Sequence, residues 1–318
     1  MIRMMLGLLA LFAIIAVAVG FAAHWQMPGL LNVVDRLTPG LAGTRVAHGI
    51  AYGSADIQRV DVYAPERGIS PVTQPANRPV IVFFHGGGWH SGGRDVYGFA
   101  GRAFAAEGFV TVVVGYRLGA DGKFPIFMQD AAAAIRWTHA NIARHGGDPT
   151  RIVLAGHSAG AHIALLSALD PHWLEDVGLG AMTRPGGAIR GVIGLAGPAD
   201  FLPFETGGSA EAAMGHVRPL ENTQPIHFAR GDAPPLMLAH GDADTTVRLR
   251  NSRNLAAAIH DAGGQAQLRV YPGADHAGTV KPLSLVYRND SSLLADAVAF
   301  SKAVTAAPTP QAPDRPQP

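Results

Sequence analysis

The sequence contains no cysteine among its 318 residues. Disulfide bonds, zinc–thiolate sites, iron–sulfur clusters and cysteine nucleophiles are therefore excluded, but the compartment is not fixed, because many exported proteins have no disulfides. Charged residues are also scarce, at 15% of the chain, and the formal net charge is only +1. Since no run of lysine or arginine is present, nucleic acid is not an expected partner.

What the sequence does contain is a high proportion of apolar and small residues. Hydrophobic residues make up 48% of the chain, and 39 residues are glycine. This composition is sufficient for a large buried core and argues against disorder over most of the length. The abundant glycine favours an architecture with many tight turns and close backbone approaches.

An uncharged, mostly apolar stretch occupies residues 4–23, directly after Arg3. A helix of about 20 such residues spans a hydrocarbon core of ~30 Å. The stretch is interpreted as an uncleaved membrane anchor, with a secretory signal peptide cleaved near Ala16, Ala18 or Ala22 as the alternative. In both cases the arginine places the N-terminus inside, so we expect the rest of the chain outside the cytoplasm, in the periplasm or extracellular space.

The chain is divided into four segments. They are the N-terminal anchor or signal segment 1–25, a tether 26–55, one folded catalytic domain 56–305, and a tail 306–318. Five prolines fall in the last eleven residues, so we expect the tail to be disordered. No internal repeat is present, and the oligomeric state is not predicted.

Short apolar runs rich in β-branched residues predict the strands of this domain. The runs are 79–84, 110–115, 151–155, 192–196, 235–239 and 267–271, and the segment 57–63, which alternates in character, is also predicted as a strand. Continuous apolar runs are typical of strands that are buried on both faces. Helices are predicted over 97–107, 128–145, 159–169 and 248–262. This alternation predicts an α/β fold, with a mostly parallel sheet, helices on both faces, and a functional site beyond the carboxyl ends of the strands.

A candidate nucleophile lies at the junction of a predicted strand and a predicted helix. The motif Gly-His-Ser-Ala-Gly over 156–160 places Ser158 between the strand 151–155 and the helix that follows. A serine on such a sharp turn needs glycine on both sides, because side chains there would clash. The alternative is a glycine-rich turn with a capping serine. We interpret the neighbouring His157 as a packing or hydrogen-bonding residue.

A run of three glycines follows the predicted strand 79–84, in the motif His-Gly-Gly-Gly-Trp over 85–89. Backbone N–H groups without side-chain cover can stabilise a developing oxyanion, together with the N–H of the residue after the nucleophile. We therefore predict Gly87, Gly88 and Ala159 as donors. The alternative, a phosphate-binding loop, is disfavoured because no GK[ST] follows and the run is not G-x-G-x-x-G.

A general base and its acidic partner are expected after the nucleophile, in loops that follow strands. His276 lies just after the predicted strand 267–271 and is the candidate base; a surface histidine is the alternative. Asp242 and Asp244 follow the strand 235–239 and are both candidate acids. Asp275 is adjacent to the base, and a residue in that position seldom turns back to its neighbour's ring.

The chain resembles a known family over about residues 61–299. The segments that carry the resemblance are DVYAP (61–65), HGGGWHSG (85–92), GYRL (115–118), GGDPTRIVLAGHSAGAH (146–162), APPLMLAHGDADTTV (233–247) and GADH (273–276). Together they are similar to serine esterases of the α/β-hydrolase superfamily that carry HGGG ahead of GxSxG. Within it they look more like the feruloyl- or acetyl-esterase and kynurenine-formamidase branch than the hormone-sensitive-lipase branch.

The resemblance implies a triad of Ser158, Asp244 and His276, with Asp242 left as a turn residue. It also implies a small-molecule ester substrate with a small to medium acyl group, an acyl-enzyme on the serine, and no metal or cofactor. Where the family often has proline after the valine of the acid segment, this chain has Arg248. The segment 200–231 carries no readable motif and should cover the pocket.

Three other functions stay open from the sequence. An amidase or formamidase would use the same triad, because both reactions pass through the same kind of intermediate. A non-catalytic protein on the same fold, tethered to a membrane, is the second alternative. The third is a lipase that acts at the membrane, which only the hydrophobic N-terminal stretch suggests. For the enzyme, activity should fall at low pH, because a protonated His276 cannot accept the serine proton.

Overall fold

The computed structural model of the chain describes residues 31–33, 35, 43–65 and 77–306. One sheet of eight strands runs through the described part of the chain, in the order β1-β2-β4-β3-β5-β6-β7-β8. The strands are β1 Thr44–Ala51, β2 Arg59–Ala64, β3 Arg78–Phe84, β4 Val110–Val114, β5 Gly147–His157, β6 Ile189–Leu195, β7 Leu236–Gly241 and β8 Ala266–Tyr271. The pairs β1–β2 and β2–β4 are antiparallel, and all the other pairs are parallel.

The seven predicted strands are confirmed, and the burial of the central ones explains why the sequence indicated them. Val82 at the centre of β3 is opposite Val112 of β4 and Leu154 of β5, and all three side chains are fully buried. Side chains along β5 alternate between two apolar cores, with Leu154 in one and Val153 in the other. A strand covered on both faces keeps its apolar character at every position, which gives the continuous runs.

Seven α-helices have both ends within the described part of the chain. They are α1 Gly98–Ala106, α2 Ile126–Asn141, α3 Ala159–Leu169, α4 His172–Glu175, α5 Ser209–Met214, α6 Arg250–Asp261 and α7 Leu293–Thr305. Buried residues of α2, α3 and α6 belong to the core on one face of the sheet, whereas those of α1 and α7 belong to the core on the other. The predicted α/β architecture with helices on both faces is therefore confirmed.

The domain begins earlier than the sequence-based boundary at residue 56. Strand β1 lies inside the predicted tether, yet it pairs with β2 and completes one edge of the sheet. It was missed because an edge strand is only partly covered: its residues are exposed or half-buried, and its pairing is interrupted by irregularities. Such a strand has no continuous apolar run to reveal it.

The hydrophobic stretch at 4–23 and the proline-rich tail lie outside the described residues, so the anchor and the disordered tail both remain predictions. In the part of the chain that the structure describes, no helix combines the length and the apolar character needed to cross a bilayer.

Candidate active site

The backbone makes a sharp turn at Ser158, between the end of β5 and the start of α3. Its φ of 55° and ψ of −122° lie in a region that residues with side chains rarely adopt. A Cβ on Gly156 would lie 2.3 Å from the backbone of Gly160, and a Cβ on Gly160 would lie 2.1 Å from the carbonyl oxygen of Phe84. Both flanking positions therefore accept only glycine, as the motif predicts.

The structure brings three predicted side chains into one hydrogen-bonded chain. The Oγ atom of Ser158 lies 2.8 Å from Nε2 of His276, and Nδ1 of His276 lies 2.8 Å from Oδ2 of Asp244. With a proton on Nδ1 donated to the carboxylate, Nε2 is free to accept the hydroxyl hydrogen of the serine. The three residues lie at the carboxyl ends of β5, β7 and β8, which share one edge of the sheet.

The carboxylate of Asp244 is held by its own loop. Its Oδ1 atom accepts hydrogen bonds from the N–H groups of Thr246 and Val247, both at 2.9 Å. Nε2 of His240 lies 3.5 Å from Oδ2 but only 2.7 Å from the carbonyl oxygen of Val247, so its N–H is directed mainly at the carbonyl. These contacts fix the orientation of the carboxylate towards His276.

Two opposing effects act on the pKa of Asp244. Burial by itself would raise the pKa, but the neighbouring imidazoles of His240 and His276 and the N–H of Val247 outweigh it, and hold the pKa well below its ordinary value. The carboxylate is therefore ionised at neutral pH, and it can stabilise a positive charge on the His276 ring.

The other two aspartates near the base have different partners. Oδ1 of Asp242 accepts the N–H of Gly273 at 2.6 Å, and Oδ1 of Asp275 accepts the N–H of Gly278 at 2.7 Å. Both residues are exposed, in contrast to the buried Asp244. Within the described residues, Asp244 alone among the three candidates contacts the ring of His276. Asp242 instead supports the turn that carries the base.

The glycine-rich loop lies beside the nucleophile. Gly87 and Gly88 have φ values of 124° and 58°, and a Cβ on Gly87 would lie 2.1 Å from the carbonyl oxygen of Ser91. Both glycines line the same cavity as Ser158. Ala159 is the first residue of α3, where an N–H has no partner in its own helix. The two glycines thus share a cavity with the serine, and Ala159 follows the serine directly in the chain.

His157 and Tyr97 form a chain of hydrogen bonds that holds the backbone of His276. Nε2 of His157 lies 3.1 Å from the carbonyl oxygen of His276, and Nδ1 lies 3.0 Å from the hydroxyl of Tyr97. A carbonyl can only accept, so Nε2 carries the proton and Nδ1 accepts from the tyrosine. Burial, and then the nearby His276, lower the pKa of His157 to about 3, which keeps the ring neutral. The hydrogen-bonding interpretation of His157 is confirmed.

The sequence does not indicate that Tyr97 and His240 form hydrogen bonds that support the site. Tyr97 stood at the start of a predicted helix and His240 at the end of a predicted strand, where both resemble core residues. The ring of His240 is fully buried, and its Nδ1 atom lies 2.7 Å from the hydroxyl of Ser252. Only the packing of separate elements brings these side chains to the site.

A cavity of about 800 Å³ opens over Ser158 and His276. Aromatic side chains form much of its wall: Trp89 stacks on Phe201 with ring centroids 6.2 Å apart, and Phe204 lies 5.5 Å from Phe201. Residues of the segment 200–231 line the cavity, namely Phe201, Pro203, Phe204, Glu205, Gly208, Ser209 and Ala210. The prediction that this segment covers the pocket is therefore confirmed.

One group of side chains in the described part of the chain has the spacing of a metal site. Ligand atoms of His48, Asp61 and Asp95 all lie within 4.8 Å of one another. The carboxylate of Asp61 already contacts Arg45 at 3.3 Å and Arg94 at 3.2 Å. Because two guanidinium groups balance this carboxylate, a metal cation would have to compete with them.

Comparisons with known proteins agree with this geometry. The chain is 28% identical over 244 residues to Esterase LipC of Mycobacterium tuberculosis, covering 71% of this chain and 58% of that protein. Carboxylesterase NlhH of the same organism is 44% identical over 117 residues, which are 36% of this chain and 34% of the relative. The chain thus spans less than two thirds of the length of these curated relatives.

A solved structure extends the likeness over most of the chain. The apo form of Thermogutta terrifontis esterase 2 superposes with a TM-score of 0.65 at 28% identity, covering 85% of this chain and 97% of that one. This likeness and the sheet order give the α/β-hydrolase fold. Residues 60–259 match the BD-FAE family, which is more than half of the 318 residues. The chain therefore belongs to the BD-FAE family.

Proposed function

We propose that this protein hydrolyses carboxylic esters through an acyl-enzyme on Ser158. The observation that carries the proposal is the continuous chain of two 2.8 Å contacts from Ser158 through His276 to Asp244, which opens into a cavity. The names of the relatives support the same reaction, since LipC is an esterase and NlhH a carboxylesterase.

In the first step, His276 takes the hydroxyl proton of Ser158 as its oxygen attacks the ester carbonyl. Asp244 stabilises the resulting imidazolium and keeps Nδ1 protonated. The tetrahedral intermediate then collapses, and His276 gives its proton to the leaving alcohol. A water molecule attacks the acyl-enzyme in the same way, which releases the carboxylic acid and restores the serine.

The oxyanion of the intermediate is stabilised by backbone N–H groups. We assign this role to Ala159, Gly87 and Gly88, because the glycines line the cavity beside Ser158 and Ala159 begins α3. Each such donor is worth about 3 kcal/mol of transition-state stabilisation. The positive end of the α3 dipole adds to the same effect.

Acyl groups of small to medium size fit the proposed site best. A cavity of about 800 Å³ is in the range of small-molecule sites, and its aromatic wall suits an apolar or aromatic group. Thermogutta terrifontis esterase 2 provides a probe for the nucleophile, since a further structure of that enzyme is phosphorylated by paraoxon.

The proposal is tested with p-nitrophenyl acetate, butyrate and hexanoate, and with an N-formyl anilide to cover the amidase alternative. Turnover by wild type that Ser158→Ala abolishes would support a serine hydrolase. The matched control is Ser209→Ala, which removes a second hydroxyl from the same cavity and should retain turnover. A folded wild type that turns over none of these compounds would favour the non-catalytic alternative.

We also propose that residues 1–25 anchor the protein in a membrane and leave the catalytic domain outside the cytoplasm. The uncharged run at 4–23 behind Arg3 supports this location, with secretion after signal cleavage as the alternative. Membrane fractionation of the full chain, with N-terminal sequencing of the mature protein, tests it. Intact residues 1–25 in the membrane fraction support the anchor, whereas a shortened soluble protein supports cleavage.

A further inference from the structure

We infer that the cavity selects esters that carry a carboxylate on the acyl or the alcohol group, and that Arg248 and Arg250 bind this carboxylate. The inference rests on the proposed ester hydrolysis and adds a substrate class to it. Both arginines line the cavity that contains Ser158 and His276. Both are exposed, so a substrate entering from solvent can reach them.

The first support is the lack of a carboxylate partner for these two arginines. Among the described arginines, Arg45, Arg59, Arg94, Arg117, Arg151, Arg184 and Arg230 form ion pairs with aspartate or glutamate, whereas Arg248, Arg250 and some others, such as Arg253, do not. Across the ranges that the structure describes, neither Arg248 nor Arg250 has a carboxylate oxygen within ion-pair distance. Their guanidinium groups are permanently charged and are therefore available to an anionic ligand.

The second support is the balance of charge around the cavity. Among the described lining residues, Glu205 is the single carboxylate, and it forms no ion pair with either arginine. With neutral histidines, two guanidinium groups against one carboxylate give the side chains that line the cavity a net positive charge. A carboxylate on a substrate matches the planar fork of a guanidinium group with two hydrogen bonds.

The third support is the position of the two arginines at the start of a helix. Arg250 is the first residue of α6, and the first turn of this 12-residue helix contains no acidic side chain. The positive end of a helix dipole disfavours cations and favours anions. Arg250 at this end destabilises the helix. Its charge adds to the positive potential at the N-terminus of α6, and this potential attracts an anion to the cavity.

The backbone that carries these arginines is held firmly. The carbonyl oxygen of Arg248 accepts two hydrogen bonds from Asn251, one from its N–H and one from Nδ2, both at 3.0 Å. Oδ1 of Asn251 accepts the N–H groups of Ala199 and Asp200 at 3.0 and 2.9 Å. These bonds fix the backbone of residues 248–251 to the loop after β6. The Cα atoms of both arginines therefore have defined positions beside the cavity.

Two pairs of esters test the inference, each with and without a carboxylate. For the acyl side the pair is p-nitrophenyl hydrogen adipate and p-nitrophenyl hexanoate. For the alcohol side it is 4-acetoxybenzoate and its methyl ester. For each pair, kcat/KM of the anionic ester is divided by kcat/KM of the neutral ester. In at least one pair, we expect this ratio to be about tenfold lower in the double variant Arg248→Gln/Arg250→Gln than in wild type. The affected pair identifies the side of the ester that is bound.

Arg253→Gln is the matched control, because Arg253 is an exposed arginine on the same helix that does not line the cavity. It should keep the wild-type ratio in both pairs. The wild-type ratio should also fall as NaCl is raised from about 50 mM to about 500 mM, since salt screens exposed charges. A ratio that the double variant leaves unchanged in both pairs, or that Arg253→Gln lowers equally, would overturn the inference.

Binding measurements separate this inference from the proposed hydrolysis. In Ser158→Ala, calorimetric titration should give a lower Kd for the anionic than for the neutral ester, and this difference should vanish when Arg248→Gln and Arg250→Gln are added. If wild type hydrolyses none of the four esters, the proposed function fails. If Ser158→Ala binds both members of each pair equally, the anion-binding inference fails.

Discussion

Ser158 combines a strained backbone with a hydroxyl group that lies 2.8 Å from Nε2 of His276. A residue with a side chain in such a conformation costs on the order of 1–3 kcal/mol, which the surroundings must offset. Its N–H donates to the carbonyl oxygen of Leu195 at 2.8 Å, and its own carbonyl oxygen accepts the N–H of His162 at 3.1 Å. These two bonds, one to β6 and one within α3, hold the turn so that the hydroxyl meets His276.

Three aspartates lie near His276, and their different contacts predict different effects of substitution. Asp244→Asn should lower kcat by about 10⁴-fold, because an amide cannot hold the His276 tautomer or stabilise the imidazolium. Asp242→Asn and Asp275→Asn are matched controls on the neighbouring loops, and each should stay within about tenfold of wild type. Initial rates with p-nitrophenyl butyrate measure all three variants, with circular dichroism to check folding. A mild effect of Asp244→Asn beside a large one of Asp242→Asn would reverse the assignment.

Individual site residues could be predicted from the sequence where the required geometry restricts the neighbouring residue types. Glycine on both sides of Ser158 is required by the turn itself, so the nucleophile could be predicted from a five-residue motif together with the strand before it and the helix after it. The acid could not be separated from Asp242 by spacing alone, and the resemblance to a family decided it. The support from Tyr97 and His240 could not be predicted, because it depends on hydrogen bonds that only the folded loops and elements bring together.

At the scale of elements, the site depends on how closely α3 approaches β3. The Cα of Gly160 lies so near that strand that a Cβ would be 2.1 Å from the carbonyl oxygen of Phe84 and 2.5 Å from that of His85. The glycine loop follows the same strand, so one close contact positions both the nucleophile and the predicted oxyanion donors.

Gly160→Ala should therefore damage stability and activity together. A methyl group forced against backbone atoms costs roughly 2 kcal/mol or more, because the strand or the helix must move. Gly93→Ala is the matched control, since a Cβ there meets nothing within 4 Å. Urea unfolding of both variants gives the free-energy change, and ester turnover gives the effect on the site. If Gly160→Ala has the same free energy of unfolding as wild type, α3 approaches β3 less closely than the 2.1 Å contact implies.

The central elements were predictable because burial on both faces of a sheet produces continuous apolar runs. The edge strand β1 was not, since its residues are exposed or half-buried and form no continuous apolar run. Helix α7 was also missed, although buried Leu293, Leu294, Ala297 and Val298 repeat at the spacing of one helix face. The segment 200–231 could be placed over the pocket but not described, because its short helical turns are fixed by contacts with the rest of the domain.

At the scale of the whole molecule, the two cores enclose several neutral imidazoles. Burial lowers the pKa of His85 to about 4, that of His157 to about 3 and that of His162 to about 4. In the unfolded chain these rings return to a pKa near 6.5. Between these values the unfolded chain binds more protons than the folded one, so acid favours unfolding.

The free energy of unfolding should therefore be highest above about pH 6.5 and fall as the pH drops towards about 4. Each of the three imidazoles contributes a loss on the order of 2 kcal/mol between about pH 7 and pH 5. Asp35 has the opposite sign, since burial raises its pKa to about 6, and it offsets part of this loss. The stabilisation from the low pKa of Asp244 is lost only at more acidic pH.

Urea titrations at pH 7, 6 and 5 measure this dependence. In His162→Gln, which can keep a donor to the carbonyl oxygen of Thr223, the uptake of protons on unfolding near pH 5 should fall by about one. An unfolding free energy that stays constant from pH 7 to pH 5 would contradict the assignment of neutral, buried imidazoles.

Covalent labelling with paraoxon tests whether Ser158 is a nucleophile that His276 and Asp244 activate. We predict that wild type gains one diethylphosphoryl group, and that peptide mass spectrometry locates it on Ser158. Ser209→Ala should be labelled at Ser158 as well, whereas Ser158→Ala should stay unlabelled. A folded wild type that is not labelled, or is labelled at another residue, would show that Ser158 is not the activated nucleophile.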